Sequence, residues 1–347
     1  MQFGLFGSTQ AKRGGPDVDS AAGFNEFVDY NVEAEALGYH STFVVEHHFT
    51  GFGQISASLG LLTWIGSRTR KLRLGTAVMV LPWHNPVLLA EQASTLDLLS
   101  GGRLDFGVGK GYRHNEFAGF CIPMEEADER FEESLAVITK AWTSDARFTH
   151  KGKYWSFADV VVEPPTAQRP HPPLWMGAGS PASIKKVAER GYNLLLDQFA
   201  SIEQIGERIA LFRQEVEARG RKFDPMQVGV ARSVAFTTSK DEQERLLTNR
   251  LAGRKRTADL AQRPDGQNKS SLMSYDDTLD NTAAGALYGT PDEVVEKIER
   301  LRKLGVTYLL LNCPELGKTT RRFAEEIFPE FRGKPAWPAA SGERPAA

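Results

Sequence analysis

Cysteine is nearly missing: Cys121 and Cys313 are the two in 347 residues, and neither stands in a CxxC or Cys/His spacing. That excludes a disulfide framework, argues against a zinc site and fits a reducing cytoplasm. An excess of either charge is also lacking, since 42 Lys and Arg face 44 Asp and Glu for a formal net charge of -2. Without a broad basic field, neither nucleic acid nor an anionic membrane surface is an expected partner. No apolar run approaches the roughly 18 residues of a membrane span, and Gln2–Phe6 already reads as a strand. Neither a membrane anchor nor a cleaved leader is expected.

What is present suits an ordinary globular protein. Hydrophobic residues make up 41% of the chain and charged residues 25%, enough to bury a large core. The length is that of one α/β barrel with insertions. Strand-length apolar runs occur at Gln2–Phe6, Thr42–Val45, Leu72–Val80, Leu104–Val108, Leu174–Met176, Asn193–Leu196, Val228–Thr237 and Tyr308–Asn312. Between them lie helical periods, such as Phe24, Phe27, Val28, Ala34 and Leu37. Linked βαβ units along the whole length, with eight strands, predict a TIM (β/α)8 barrel over residues 1–332 as a single domain. The remainder, 333–347, rich in proline and alanine, is expected to be disordered.

Local punctuation adds detail. Thr290, Pro291 and Glu293 supply a cap, a first helical proline and a capping-box partner, so a helix is predicted over 291–304. Arg147–Pro173 reads as a short hairpin with an irregular loop. Residues 253–286 are polar and without a sustained apolar period, too long for a routine connection, and are expected to form a mobile lid.

Three stretches could carry chemistry. Glu46-His47-His48-Phe49-Thr50-Gly51-Phe52-Gly53 closes the second strand, on the face where barrels build active sites. His47 and His48 point to opposite sides of an extended chain, which disfavours a shared metal; a structural histidine is the other reading. Gly107-x-Gly109-x-Gly111 lets backbone approach a flat ligand, with Lys110 and Arg113 available to an anion, or else forms a plain βα turn. Its spacing is not the dinucleotide fingerprint. Gly179-Ser180-Pro181-Ala182-Ser183 opens a helix with free N–H groups beside two hydroxyls: an anion site, or an ordinary cap.

Taken in order, these pieces resemble the bacterial luciferase-like, flavin-dependent monooxygenase family. Glu46-His47-His48-Phe49-Thr50-x-Phe52-Gly53 carries most of the likeness, joined by Gly75-Thr76-Ala77-Val78, Leu81-Pro82, His84-x-Pro86 and Ser100-x-Gly102-Arg103. The resemblance implies a barrel that binds FMN, reduced during turnover, and uses dioxygen through a 4a-peroxyflavin to oxidise a small organic substrate. It implies His47 as the catalytic histidine; Glu46 is the candidate to orient it, and Glu116 is a further catalytic candidate, for substrate or ring contact. It also implies a non-proline cis peptide at Ala77–Val78 under the flavin, and Lys110, Arg130, Ser180 and Ser183, with Gly109 and Gly179, around its phosphate. Arg113 and His114 differ from luciferase and are the substrate-contact candidates. Gly109 stands where luciferase has cysteine, and Lys110 replaces an arginine, giving a point charge in place of a bidentate fork. A homodimer and a separate flavin reductase are implied as partners. Deazaflavin-dependent hydride transfer and non-catalytic flavin binding are the alternatives within the same family.

Overall fold

The computed structural model describes residues 1–266, 270–313 and 315–333. The expected tail from 334 onward, and residues 267–269 of the expected lid, lie outside the described residues.

Among the described residues twelve strands form: β1 Gln2–Gly7, β2 Ser41–Val44, β3 Arg73–Thr76, β4 Met79–Val80, β5 Leu104–Gly109, β6 Phe148–Lys151, β7 Ser156–Val160, β8 Leu174–Gly177, β9 Asn193–Leu196, β10 Val228–Phe236, β11 Leu287–Gly289 and β12 Tyr308–Asn312. Eight of them close a parallel barrel in the order β1-β2-β3-β5-β8-β9-β10-β12, with β12 pairing back to β1. These are the eight runs read from the sequence. The run Leu72–Val80 divides into β3 and β4, because a cis peptide at Ala77–Val78 interrupts it. Phe148–Lys151 and Ser156–Val160 pair as the expected hairpin outside the barrel.

Strand alternation sorts the core into two layers. Phe43, Trp175, Leu195, Tyr308 and Leu310 fill the barrel interior, while their neighbours Val44, Leu174, Leu194, Leu309 and Leu311 join the larger layer beneath the helices. The interior rings need room that only glycine leaves: a Cβ at Gly75 would lie 2.3 Å from Phe43 Cδ1. At the N-terminal end of the strands, Asp105 accepts from Arg73 Nε at 2.7 Å and from Trp175 Nε1 at 3.1 Å, which satisfies the polar groups buried there.

Caps formed as the sequence specifies. Thr290 and Glu293 exchange the two bonds of a capping box at the start of Pro291–Lys303, and Ser180 and Ser183 do the same at Pro181–Arg190. Within the segment expected to form the lid, 253–286, the described residues are largely helical. Residues 253–261 are the last turns of a 22-residue helix, Lys240–Ala261, and Thr278 caps a further helix, Leu279–Ala284. The long helix buries only Leu247 and Ala261, so no apolar stripe announced it. Arginines anchor it in place of that stripe: Arg250 donates to Gln198 O at 2.8 Å, and Arg254 pairs with Asp277, donates to Tyr275 O and stacks 4.9 Å over Phe199.

Candidate active site

Beyond β2, Glu46 and His48 bond to each other, while His47 turns to Glu116. Glu46 is 1% exposed. Its Oε1 accepts from His84 Nε2 at 2.6 Å and His48 Nε2 at 3.1 Å, and its Oε2 from the Val80 N–H at 2.7 Å. Burial alone would raise this carboxyl, but the bonds from His48, His84 and Val80 bring it down to about 2. Glu46 therefore orients His48 and His84. The expected pairing of Glu46 with His47 is corrected, because the two side chains take different partners.

His47 is oriented by Glu116, which arrives from the short helix His114–Gly119 that follows β5. His47 Nδ1 lies 3.0 Å from Glu116 Oε1, the same oxygen that accepts the His48 N–H at 2.9 Å. Nδ1 facing a carboxylate carries the proton, which leaves Nε2 as a bare acceptor. Burial lowers the pKa of His47 below its ordinary value; the Glu116 bond opposes this, and the Arg113 charge adds to the lowering. The imidazole is thus neutral at pH 7, and 14% of its side chain remains exposed. It can take a proton.

Ala77 and Val78 flank the cis peptide and stay partly exposed, packed against the interior cluster with Phe6. Ala77 N–H donates to Val44 O at 2.8 Å, so this apolar shelf abuts the end of β2, three residues before His47. Gly109 is required beneath it, since a Cβ there would come within 2.4 Å of Val78 Cγ2. The shelf, its glycine cradle and the nearby basic groups fit a flat flavin ring with an anionic tail.

The expected phosphate residues fall into two sets. Lys110 Nζ pairs with Asp128 at 2.7 Å, and Arg130 Nε pairs with Glu126 at 2.8 Å while its guanidinium stacks 4.4 Å over Tyr154 of the hairpin. Both cations converge on the start of the helix Ala127–Thr143. Ser180 and Ser183 instead bond to each other, with Ser180 Oγ 2.9 Å from Ser183 Oγ, at an exposed helix start after Gly179. Of the substrate-contact candidates, Arg113 is buried beside Glu116 and Gln54, and His114 Nδ1 is buried without a hydrogen-bond partner.

Sequence reasoning missed two features. One is an aromatic wall: His48 meets Phe120 at 4.9 Å, and Trp83 meets Phe117 at 5.0 Å and Phe120 at 5.3 Å. Its members come from three loops, and only their count in the segment 112–120 hinted at it. The other is the roof. The helix Lys240–Ala261 packs against His114–Gly119, Arg256 stacks 5.7 Å over Phe52, and Arg263 just beyond pairs with Glu125. It touches the loops after β2, β5 and β9, which surround the site.

This geometry has relatives. The chain is 26% identical over 330 residues to an FMNH(2)-dependent dimethylsulfone monooxygenase of Pseudomonas putida, covering 88% of each chain. It is also 26% identical to an F420-dependent glucose-6-phosphate dehydrogenase of Amycolatopsis mediterranei, covering 89% of this chain and 95% of that protein. Among solved structures, the monooxygenase RslO1 of Streptomyces bottropensis superposes with a TM-score of 0.78 at 28% identity, over 95% of this chain and 100% of that one. The luciferase-like monooxygenase family profile matches residues 1–308, from β1 to the start of β12, and so takes in both histidine-bearing loops, the shelf and the roof. No helix among the described residues is long and apolar enough to cross a membrane. The chain belongs to the luciferase-like monooxygenase family and is one of its flavin-binding oxidoreductases.

Proposed function

We propose that the chain is a monooxygenase that uses reduced FMN and dioxygen to oxidise a small organic substrate, with a separate reductase delivering the cofactor. The observation that supports this best is a neutral histidine, His47, held by Glu116 with its Nε2 bare, at the edge of an apolar shelf. Ala77 and Val78 would carry the ring, and Lys110, Arg130, Ser180 and Ser183 the phosphate. Reduced flavin supplies the electrons that activate dioxygen. The protein does the rest. His47 accepts or returns a proton at Nε2, Glu116 fixes its tautomer, and the roof helix with the aromatic wall excludes water. The two free cysteines, Cys121 and Cys313, support a cytoplasmic setting.

Oxygen uptake tests the reading. With a flavin reductase, NADH and FMN, the protein is expected to raise oxygen consumption above the reductase control when its substrate is present, with product formed in step. Uptake equal to the control would indicate a flavin-binding protein without turnover. Substrate oxidation with a deazaflavin, independent of oxygen, would favour hydride transfer, the activity of the dehydrogenase relative.

The phosphate assignment makes its own prediction. A charge-assisted bond contributes about 1.5–3 kcal/mol, so Lys110→Ala or Arg130→Ala should weaken FMN about tenfold or more. Riboflavin, which has no phosphate, should bind both variants as it binds the wild type. A fluorescence titration reads both ligands, and unchanged FMN affinity removes that residue from the phosphate site.

A homodimer is supported by the helices Ser58–Arg68 and Pro86–Ser100. Leu59, Leu62, Leu89 and Leu96 pack inward, but Trp64 (55%), Leu88 (53%), Leu98 (41%) and Leu99 (70%) stand exposed on the same helix pair. Exposed large apolar side chains gathered on one helix pair favour a partner surface. Sedimentation at 38.4 kDa and micromolar concentration would overturn the dimer.

A further inference from the structure

Arg113 is a cation almost without water: 4% of it is exposed, and its Nε is buried without a hydrogen-bond partner. Nη1 reaches Gln54 Oε1 at 3.5 Å and Glu116 Oε1 at 3.9 Å. The first distance is at the limit of a hydrogen bond and the second is beyond it, so the guanidinium acts on its surroundings through its field more than through its donors. A charge kept under these conditions bears a desolvation penalty that its few contacts do not offset.

The oxygen it faces is the one that holds His47. Arg113, His47 Nδ1 and the His48 N–H all converge on Glu116 Oε1. The spacing is set by the backbone: Arg113 caps the helix His114–Gly119, and its carbonyl accepts the Glu116 N–H at 3.2 Å. Arg113 therefore has little freedom to swing toward a substrate.

We propose that Arg113 is a positioning residue that keeps His47 neutral and able to accept a proton, in place of the substrate contact expected from the sequence. This rests on the reading of His47 as the site's base. Four influences meet on the imidazole. Glu116 and Glu46 both favour the imidazolium, while burial and Arg113 favour the neutral ring. Burial is the largest of these, and the carboxylate bonded at Nδ1, with the more distant Glu46, works against it. Arg113 balances the Glu116 charge and leaves Oε1 free to accept from Nδ1, so orientation is kept while the charge bias is cancelled.

The test is an NMR titration of histidine-labelled protein, free of flavin and substrate, with the His47 signal assigned by its loss in His47→Ala. Arg113→Leu is expected to raise the His47 midpoint by about one pH unit, Arg113→Lys to keep it near the wild-type value, and Glu116→Gln to lower it. If Arg113→Leu fails to fold, Arg113→Gln takes the same measurement with the same expected rise. A midpoint unchanged in the folded neutral variant overturns the proposal. Because the titration involves no turnover, it stands or falls independently of whether the enzyme proves to be a monooxygenase.

Discussion

His47→Ala is expected to bind oxidised FMN and melt much as the wild type does, yet to turn over about 100- to 10,000-fold more slowly, the range a positioned acid or base supplies. The loss should fall on kcat, since the ring presents its bare Nε2 to the site and anchors no other element; its one side-chain bond goes to Glu116. His48→Ala should lose far less turnover, because the His48 ring is turned away toward Glu46 and the aromatic wall. The pH profile follows from the same geometry. Burial places the imidazole below its ordinary 6.5, so the acid limb of kcat should lie below about pH 6.5. Equal turnover in His47→Ala, His48→Ala and wild type would remove His47 from the mechanism.

The second large effect concerns stability. Glu46→Ala would leave His48 Nε2, His84 Nε2 and the Val80 N–H without their acceptor. The Val80 N–H is buried and the two histidines are half-buried; a stranded buried polar group costs about 1–3 kcal/mol and a half-buried one less, so a loss of a few kcal/mol is expected in urea unfolding at pH 7. Acid gives a separate signature. The Glu46 carboxyl is held at about 2 in the fold against 4.5 when free. A depressed folded value contributes stability that is complete above the unfolded pKa and is lost as pH falls from about 4.5 toward 2. The amount is about 3 kcal/mol. Glu46→Gln keeps the shape and removes the titration, so its stability should fall less steeply over that interval. Identical slopes in the variant and wild type would show that the Glu46 carboxyl does not titrate differently in the fold.

Much of this protein is legible without coordinates. All eight barrel strands lie where apolar runs of strand length stand, and the capping boxes at Thr290 and Ser180 form as their residues specify. These features are local: a period of two, a period near 3.6, or a hydroxyl three residues before its partner acts within one or two turns of chain. The stretch from Glu46 to Gly53 likewise stands out in the sequence, since a short motif at a strand end carries its own geometry.

Contacts made across the chain were decided elsewhere. Glu46 is the acidic neighbour that the local sequence offers His47, yet Glu46 binds His84 from 38 residues away and Glu116 binds His47 from 69 away. Nothing in the local pattern distinguishes these pairings; barrel closure does, by bringing the loops after β2, β4 and β5 together at one rim. The helix Lys240–Ala261 shows the same limit. Its stability comes from arginines reaching Gln198, Tyr275 and Asp277, partners that composition cannot name, and so a polar segment that reads as a loose lid is an anchored roof. Local spacing fixed the strands, the caps and the motif, while the ownership of each histidine and the cover over the site depended on which distant charges the closed barrel sets side by side.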